Sequence, residues 1–177
     1  MKYGMNLLLW SGELNEELIP VLESLKEMGF DGVEIPLFNT DLDYAAWGQR
    51  LDDLGLERTA VTVRNEEDNP ISSDAAVRAA GVDGTRRVLE CCAAVGATAL
   101  VGPYHSALGI FSGQGPTDDE WRWGVESMRE VAEHAGQAEV MLAVECLNRF
   151  ETYLLNTHAD SARFVREVDH PNCRMMY

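Results

Sequence analysis

No GxGxxG turn, P-loop, GxSxG elbow or HExxH pair occurs in the 177 residues. Dinucleotide binding, phosphate cradling by a glycine loop, serine-elbow hydrolysis and zincin chemistry therefore lack their usual motifs. Basic residues are scarce: 14 Lys and Arg stand against 30 Asp and Glu, a net charge of −16. Such a balance repels a phosphate backbone, so no nucleic-acid partner is expected. The four cysteines, Cys91, Cys92, Cys146 and Cys173, form no CxxC pair, which speaks against a zinc knuckle or a disulfide framework and for a reducing cytoplasm. Nothing approaches the roughly 18 apolar residues of a membrane span. After Lys2 only the short run Met5 to Trp10 follows, with no small-residue cleavage site, so neither a membrane partner nor a secretion signal is expected.

What is present is an alternation. With 46% apolar and 25% charged residues, the composition is that of one globular domain, taken as residues 1–177. Apolar runs fall at Tyr3 to Trp10, Gly32 to Leu37, Leu56 to Val63, Thr98 to Pro103, Val140 to Leu147 and Cys173 to Tyr177. They are too short for core helices and lack the alternation of half-exposed strands, so they predict buried parallel strands. Between the first two, Leu14, Leu18, Ile19, Leu22, Leu25 and Met28 share one helical face and Gly29 supplies the stop. Further helices are predicted over Leu42 to Leu54 and Asp74 to Val95, each followed by glycine, then from the capping box Thr117-Asp118-Asp119-Glu120, and from Thr157 to before Pro171.

Five such alternations without an Asn-Gly hairpin signal leave a doubly wound sheet or a barrel. The first connection, Trp10-Ser11-Gly12-Glu13-Leu14, lacks the phosphate-binding glycines of the former. The predicted fold is α/β, an incomplete (β/α)8 TIM barrel of about five βα units plus part of strand six, because complete barrels usually need about 250 residues.

In a barrel the chemistry sits at the C-terminal ends of the strands. The fifth run leads straight into Glu145, a carboxylate that there needs a cation or donors: a metal ion, an arginine such as Arg149, or water. Asn6 and Trp10 close the first run, and Trp10 either stacks on a sugar or packs in the core. Glu34 reads as a structural ion-pair partner, and Arg64-Asn65-Glu66-Glu67-Asp68 as a solvated charge run. The loop from Pro103 to Pro116 sits where a lid would be, with His105 and Leu108 as candidate substrate contacts. His134 and His158 are expected on the surface, and His170 in a turn before Pro171.

The segment Glu145-Cys146-Leu147-Asn148-Arg149-Phe150-Glu151, with Leu155-Asn156-Thr157 beyond it, resembles the fifth-strand motif of the metal-dependent ketose 3-epimerases. These are the D-tagatose and D-psicose 3-epimerase group of the xylose-isomerase-like barrels. The resemblance takes in Gly4-Met5-Asn6 to Trp10, Met28 to Glu34, Asn69-Pro70-Ile71-Ser72 and Pro171-Asn172-Cys173. It implies an isomerase acting on a small ketose, with inversion at C3 through an ene-diolate held by a divalent metal. In that group the residue matching Glu145 is both metal ligand and one of two bases, and the residue matching Glu151 contacts the sugar. Oxygen-rich ligation suits Mn²⁺, Co²⁺ or Mg²⁺.

The same resemblance implies a homodimer or homotetramer. It also places an Asp-x-x-His pair, a further histidine, an arginine and the second glutamate after the position of Tyr177. The chain is accordingly expected to be C-terminally truncated, inactive by itself, and exposed along the flanks of its first and sixth strands. The loop after the fourth run lacks the tryptophan of the better-known 3-epimerases, which leaves the sugar open. Hydroxypyruvate isomerase, with similar chemistry on a smaller substrate, is the rival activity. An endonuclease IV-like enzyme would need early-strand histidines and a basic face. A noncatalytic half-barrel serving as a binding or assembly module is the alternative of a different class.

Overall fold

The computed structural model describes all 177 residues. Six parallel strands form one sheet in chain order: β1 Gly4–Asn6, β2 Gly32–Pro36, β3 Glu57–Val61, β4 Ala99–Gly102, β5 Met141–Val144 and β6 Cys173–Met175. Five helices connect them: α1 Ile19–Glu27, α2 Tyr44–Leu54, α3 Ala75–Val95, α4 Asp118–Gln137 and α5 His158–Val168. The strands β1 and β6 are the free edges, so the sheet is an open arc of a barrel, as the alternation predicts. No helix is long and apolar enough to cross a membrane.

Register sorts the side chains into two layers. Ala60, Leu100, Leu142 and Cys173 stand opposite one another on consecutive strands and are all buried. That row packs on the helices, in one core with Leu22, Leu51, Val88, Leu89, Val131 and Phe164. One residue away along each strand the side chains turn to the concave face. There Asn6 pairs in register with Glu34, and Glu34 with Thr59, and all three are half-buried. Ala143 shares this face, so Glu145, two residues on, lies at its C-terminal rim.

The helix signals hold locally. Asp43, Asp74, Thr117 and Thr157 each cap a helix through a side-chain oxygen, and Gly55 and Gly96 end α2 and α3 in the left-handed region. At the first connection the outcome differs. The chain leaves β1 after Asn6 and turns into a 3-10 segment, Leu7–Leu9, because the Asn6 Oδ1 accepts the Leu8 N–H at 2.8 Å and caps it. Residues Leu14 to Leu18 precede α1 as loop and a second 3-10 turn, Glu16–Leu18, and Met28 is 73% exposed, so the apolar face of α1 stops at Leu25. Gly102 ends β4 with φ +123°, and a Cβ there would stand 2.4 Å from the Thr62 carbonyl oxygen. Only glycine permits that approach of the two strand ends.

Candidate functional site

Three glutamates gather at the C-terminal side of the concave face. Glu34 is held by two neighbours: the Asn6 Nδ2 donates to its Oε1 at 2.8 Å and the Thr59 hydroxyl to its Oε2 at 3.2 Å. No cation reaches it, which corrects the expectation of an ion pair. Burial raises its pKa, and the Thr59 bond opposes that. The Asn6 amide is engaged on both sides, in the cap and in Glu34, so it holds an acid in place and does not present a free amide.

Glu145 follows β5, its main-chain N–H donating to the Gly102 carbonyl at 3.1 Å. Its carboxyl is half-buried, and its pKa is raised first by burial, then by the negative charges of Glu34 and Glu151. Arg149 does not compensate it: its guanidinium lies over the Phe150 ring, 5.3 Å from the centroid. Glu151 is exposed in the turn Asn148 to Thr152, where the Asn148 Nδ2 donates to its Oε2. Its carbonyl accepts the Gly109 N–H at 2.7 Å, which draws the loop carrying Leu108 against the Glu151 turn. Leu108 is half-buried, its N–H bonded to the Arg64 carbonyl at 2.9 Å.

Trp10 is 49% exposed, so it is not a core residue. It stands beside Leu8 and Leu9, also exposed, past the end of β1. The lid expectation holds for only part of the loop. Pro103 to Ala107 are buried and residues from Gly109 to Pro116 are exposed, because Tyr104 donates to the Leu100 carbonyl at 3.0 Å and the Ala107 N–H to the Asn69 Oδ1 at 3.0 Å.

His105 is the clearest correction. It is fully buried and cannot face a ligand from a lid. Its Nε2 lies 3.0 Å from the Glu145 carbonyl oxygen and its Nδ1 3.0 Å from the Ser106 hydroxyl, which in turn meets Thr152 Oγ1 at 3.0 Å. A carbonyl only accepts, so Nε2 carries the proton, Nδ1 accepts from Ser106, and Thr152 donates to Ser106. Burial lowers the His105 pKa to about 4, with the bond to Glu145 working the other way.

Because the unfolded chain protonates at the ordinary value of 6.5 and the folded chain does not, stability is full above 6.5 and falls as pH drops towards about 4. The gap corresponds to about 3 kcal/mol. Urea melts across that window should show this loss relative to His105→Gln, whose profile lacks it; identical pH profiles for the two proteins would place the imidazole in solvent.

Two other polar side chains depart from expectation too. Arg64 is buried and ion-paired to Asp68 at 2.8 Å, so the charge run is not wholly solvated. His134 is half-buried and accepts from Arg86 Nε at 2.7 Å. A cavity of about 370 Å³ runs from the Lys2–Glu57 pair up to Asn6 and Glu34. Neither Glu145 nor Glu151 lines it, so it is the floor of the arc and not its mouth. No three His, Cys, Asp or Glu side chains converge closely enough to hold a metal ion. A divalent cation needs several oxygen or nitrogen ligands in fixed geometry, and the residues present do not make that set.

An all-parallel βα arc with its acids at the C-terminal rim is the architecture of an α/β-barrel protein, and the family can be stated. The sequence profile of the xylose isomerase-like TIM barrel matches residues 22–177, and the chain belongs to that family. It is similar to the D-psicose 3-epimerase of Agrobacterium fabrum, 32% identical over 99% of this chain and 63% of the relative. It is equally similar to the L-ribulose 3-epimerase of Mesorhizobium japonicum, 32% identical over 97% of this chain and 58% of the relative. The crystal structure of a D-allulose 3-epimerase from Methylomonas sp. in complex with D-allulose superposes with a TM-score of 0.92 at 25% identity, over 99% of this chain and 61% of that one. The chain thus spans about three fifths of the length of these relatives.

Proposed function

We propose that this chain carries the first part of the active site of a ketose 3-epimerase, with Glu145 as the base for one face of the sugar. The observation that carries the reading is Glu145 itself: a half-buried carboxyl at a strand end, made more basic by burial and two neighbouring acids, with no cation to neutralise it. A base with a raised pKa takes a proton from carbon more readily. The proton at C3 passes to the Glu145 carboxylate, the C3–H electron pair forms the C2=C3 double bond, the carbonyl π pair moves onto O2, and an ene-diolate forms. Return of a proton to the opposite face of C3 inverts that centre, and this step needs a second acid facing Glu145 across the sugar. Glu151 and Leu108, joined through the Gly109 bond, and Trp10 at the end of β1 are assigned to the rim that receives the ketose. Asn6 and His105 serve as positioning residues, the first through Glu34 and the second through the Glu145 main chain.

Of the ligands for Mn²⁺, Co²⁺ or Mg²⁺, Glu145 is the one this chain offers, so the 177 residues alone are expected neither to hold the ion nor to epimerise. All four thiols are free, which suits work in a reducing cytoplasm.

A chimera that continues residues 1–177 with the remaining segment of the Agrobacterium fabrum relative tests the reading. With a divalent ion supplied, it should epimerise D-psicose, D-tagatose or L-ribulose at C3 and leave hydroxypyruvate untouched. The unextended chain should do neither. A folded chimera that is inert towards all three ketoses, or that turns over hydroxypyruvate, refutes the assignment.

A further inference from the structure

Away from the three glutamates, one cavity is built around a buried arginine. Arg64, just past β3, is only 7% exposed in a chain of net charge −16. Its Nη1 donates to Asp68 and its Nη2 to the Thr62 hydroxyl at 3.0 Å, while its buried Nε has no partner. The neighbouring helix yields space to it: a Cβ on Gly84 of α3 would stand 2.4 Å from the Arg64 Nη1. Glycine inside a helix is a destabilising choice, and here it admits a guanidinium.

Arg87, three residues further along α3, lines the same cavity and enters no ion pair. Burial lowers the Arg64 pKa most, Asp68 raises it, and the charge of Arg87 lowers it again. One carboxylate therefore faces two guanidiniums. The cavity holds about 420 Å³, and Phe38, Thr40, Val63, Asn65 and Val88 complete its wall. None of its lining residues belongs to the glutamate group.

Guanidinium groups present forked donors matched to the oxygens of phosphate, and a net positive cavity in an acidic protein has no ligand among its own side chains to balance it. We propose that this cavity is an anion site that binds a phosphate group, either as inorganic phosphate or as the phosphate of a small phosphorylated sugar. Arg87 supplies the accessible charge, and Arg64, fixed by Asp68 and Thr62, supplies the preorganised one.

Nuclear magnetic resonance on the 177-residue chain tests this with three titrants: sodium phosphate, sodium chloride at matched ionic strength, and fructose 6-phosphate. Phosphate should give saturable shifts at the Asn65 and Gly84 amides and at the arginine Nε–H signals, and chloride should not. Arg87→Ala should weaken phosphate binding by about tenfold or more, the usual loss for a hydrogen bond to a charged group. Gly84→Ala, which drives a methyl against Arg64, should abolish binding while helix content by circular dichroism is kept. Tighter binding of fructose 6-phosphate, with shifts at Phe38 and Thr40, assigns the ester as ligand; equal or weaker binding assigns free phosphate. The proposal is overturned by shifts that chloride reproduces, by absence of saturation at millimolar phosphate, or by unchanged affinity in folded Arg87→Ala protein.

Discussion

Glu145→Gln in the closed chimera should lower kcat by about a thousandfold, the middle of the range for loss of a positioned general base. Glutamine keeps the shape of the side chain but cannot accept the C3 proton. Without the divalent ion the fold should not suffer, because the carboxyl repels Glu34 and Glu151, and a neutral amide relieves that repulsion. The discriminating measurement is therefore kcat with the ion beside the thermal midpoint without it: a large loss of turnover with an equal or higher ion-free midpoint. A loss smaller than tenfold would remove Glu145 from the proton transfer, and a lowered midpoint would mean that its charge supports the fold.

Gly102→Ala should be the most damaging single methyl in the chain. The new Cβ would meet the Thr62 carbonyl at 2.4 Å, and the residue must also hold φ +123°. Backbone strain of that kind and overpacking each cost about 1 to 3 kcal/mol, so a combined loss of about 4 kcal/mol is expected in denaturant melts. The effect reaches the site, since the Gly102 carbonyl receives the Glu145 N–H. If Gly102→Ala melts within about 1 kcal/mol of the parent, the size of an ordinary substitution, then β3 and β4 do not approach as closely as described.

The repeating layers were legible because each rests on short-range rules. Thr117 with Glu120, Asp74, and the glycines after α2 and α3 state where helices begin and end through local hydrogen bonds and φ preferences, and these survive folding unchanged. Glu145 stood out because it directly follows an apolar strand. What sequence could not supply was register. Glu34 looked like an ion-pair partner until Asn6 and Thr59 came beside it across two strand pairs; counting two residues on from Gly32 places it on the inner face but does not name its neighbours. His105 sits in a polar glycine-rich loop whose first half is buried, because Tyr104 anchors it to β4, a contact no local pattern encodes. Arg64 lay in a run of charged residues and sank into the core because an α3 glycine left room for it. Met28 failed in the other direction: it looked apolar enough to be inside, and the end of α1 left it in solvent, while for Trp10, open between a sugar contact and the core, the short β1 removed the second.

The sequential order of the sheet also governs how the molecule can be made. Each strand pairs with the one synthesised just before it, and the register partners stay close along the chain: Gly32 follows Gly4 by 28 residues and Leu142 follows Leu100 by 42. Loop closure over such spans costs only slightly more as the span lengthens, while parallel pairing at these separations forms more slowly than contacts within a helix. The row of Asn6, Glu34 and Thr59 needs only the first three strands, so every residue that holds Glu34 in place is synthesised before Glu145.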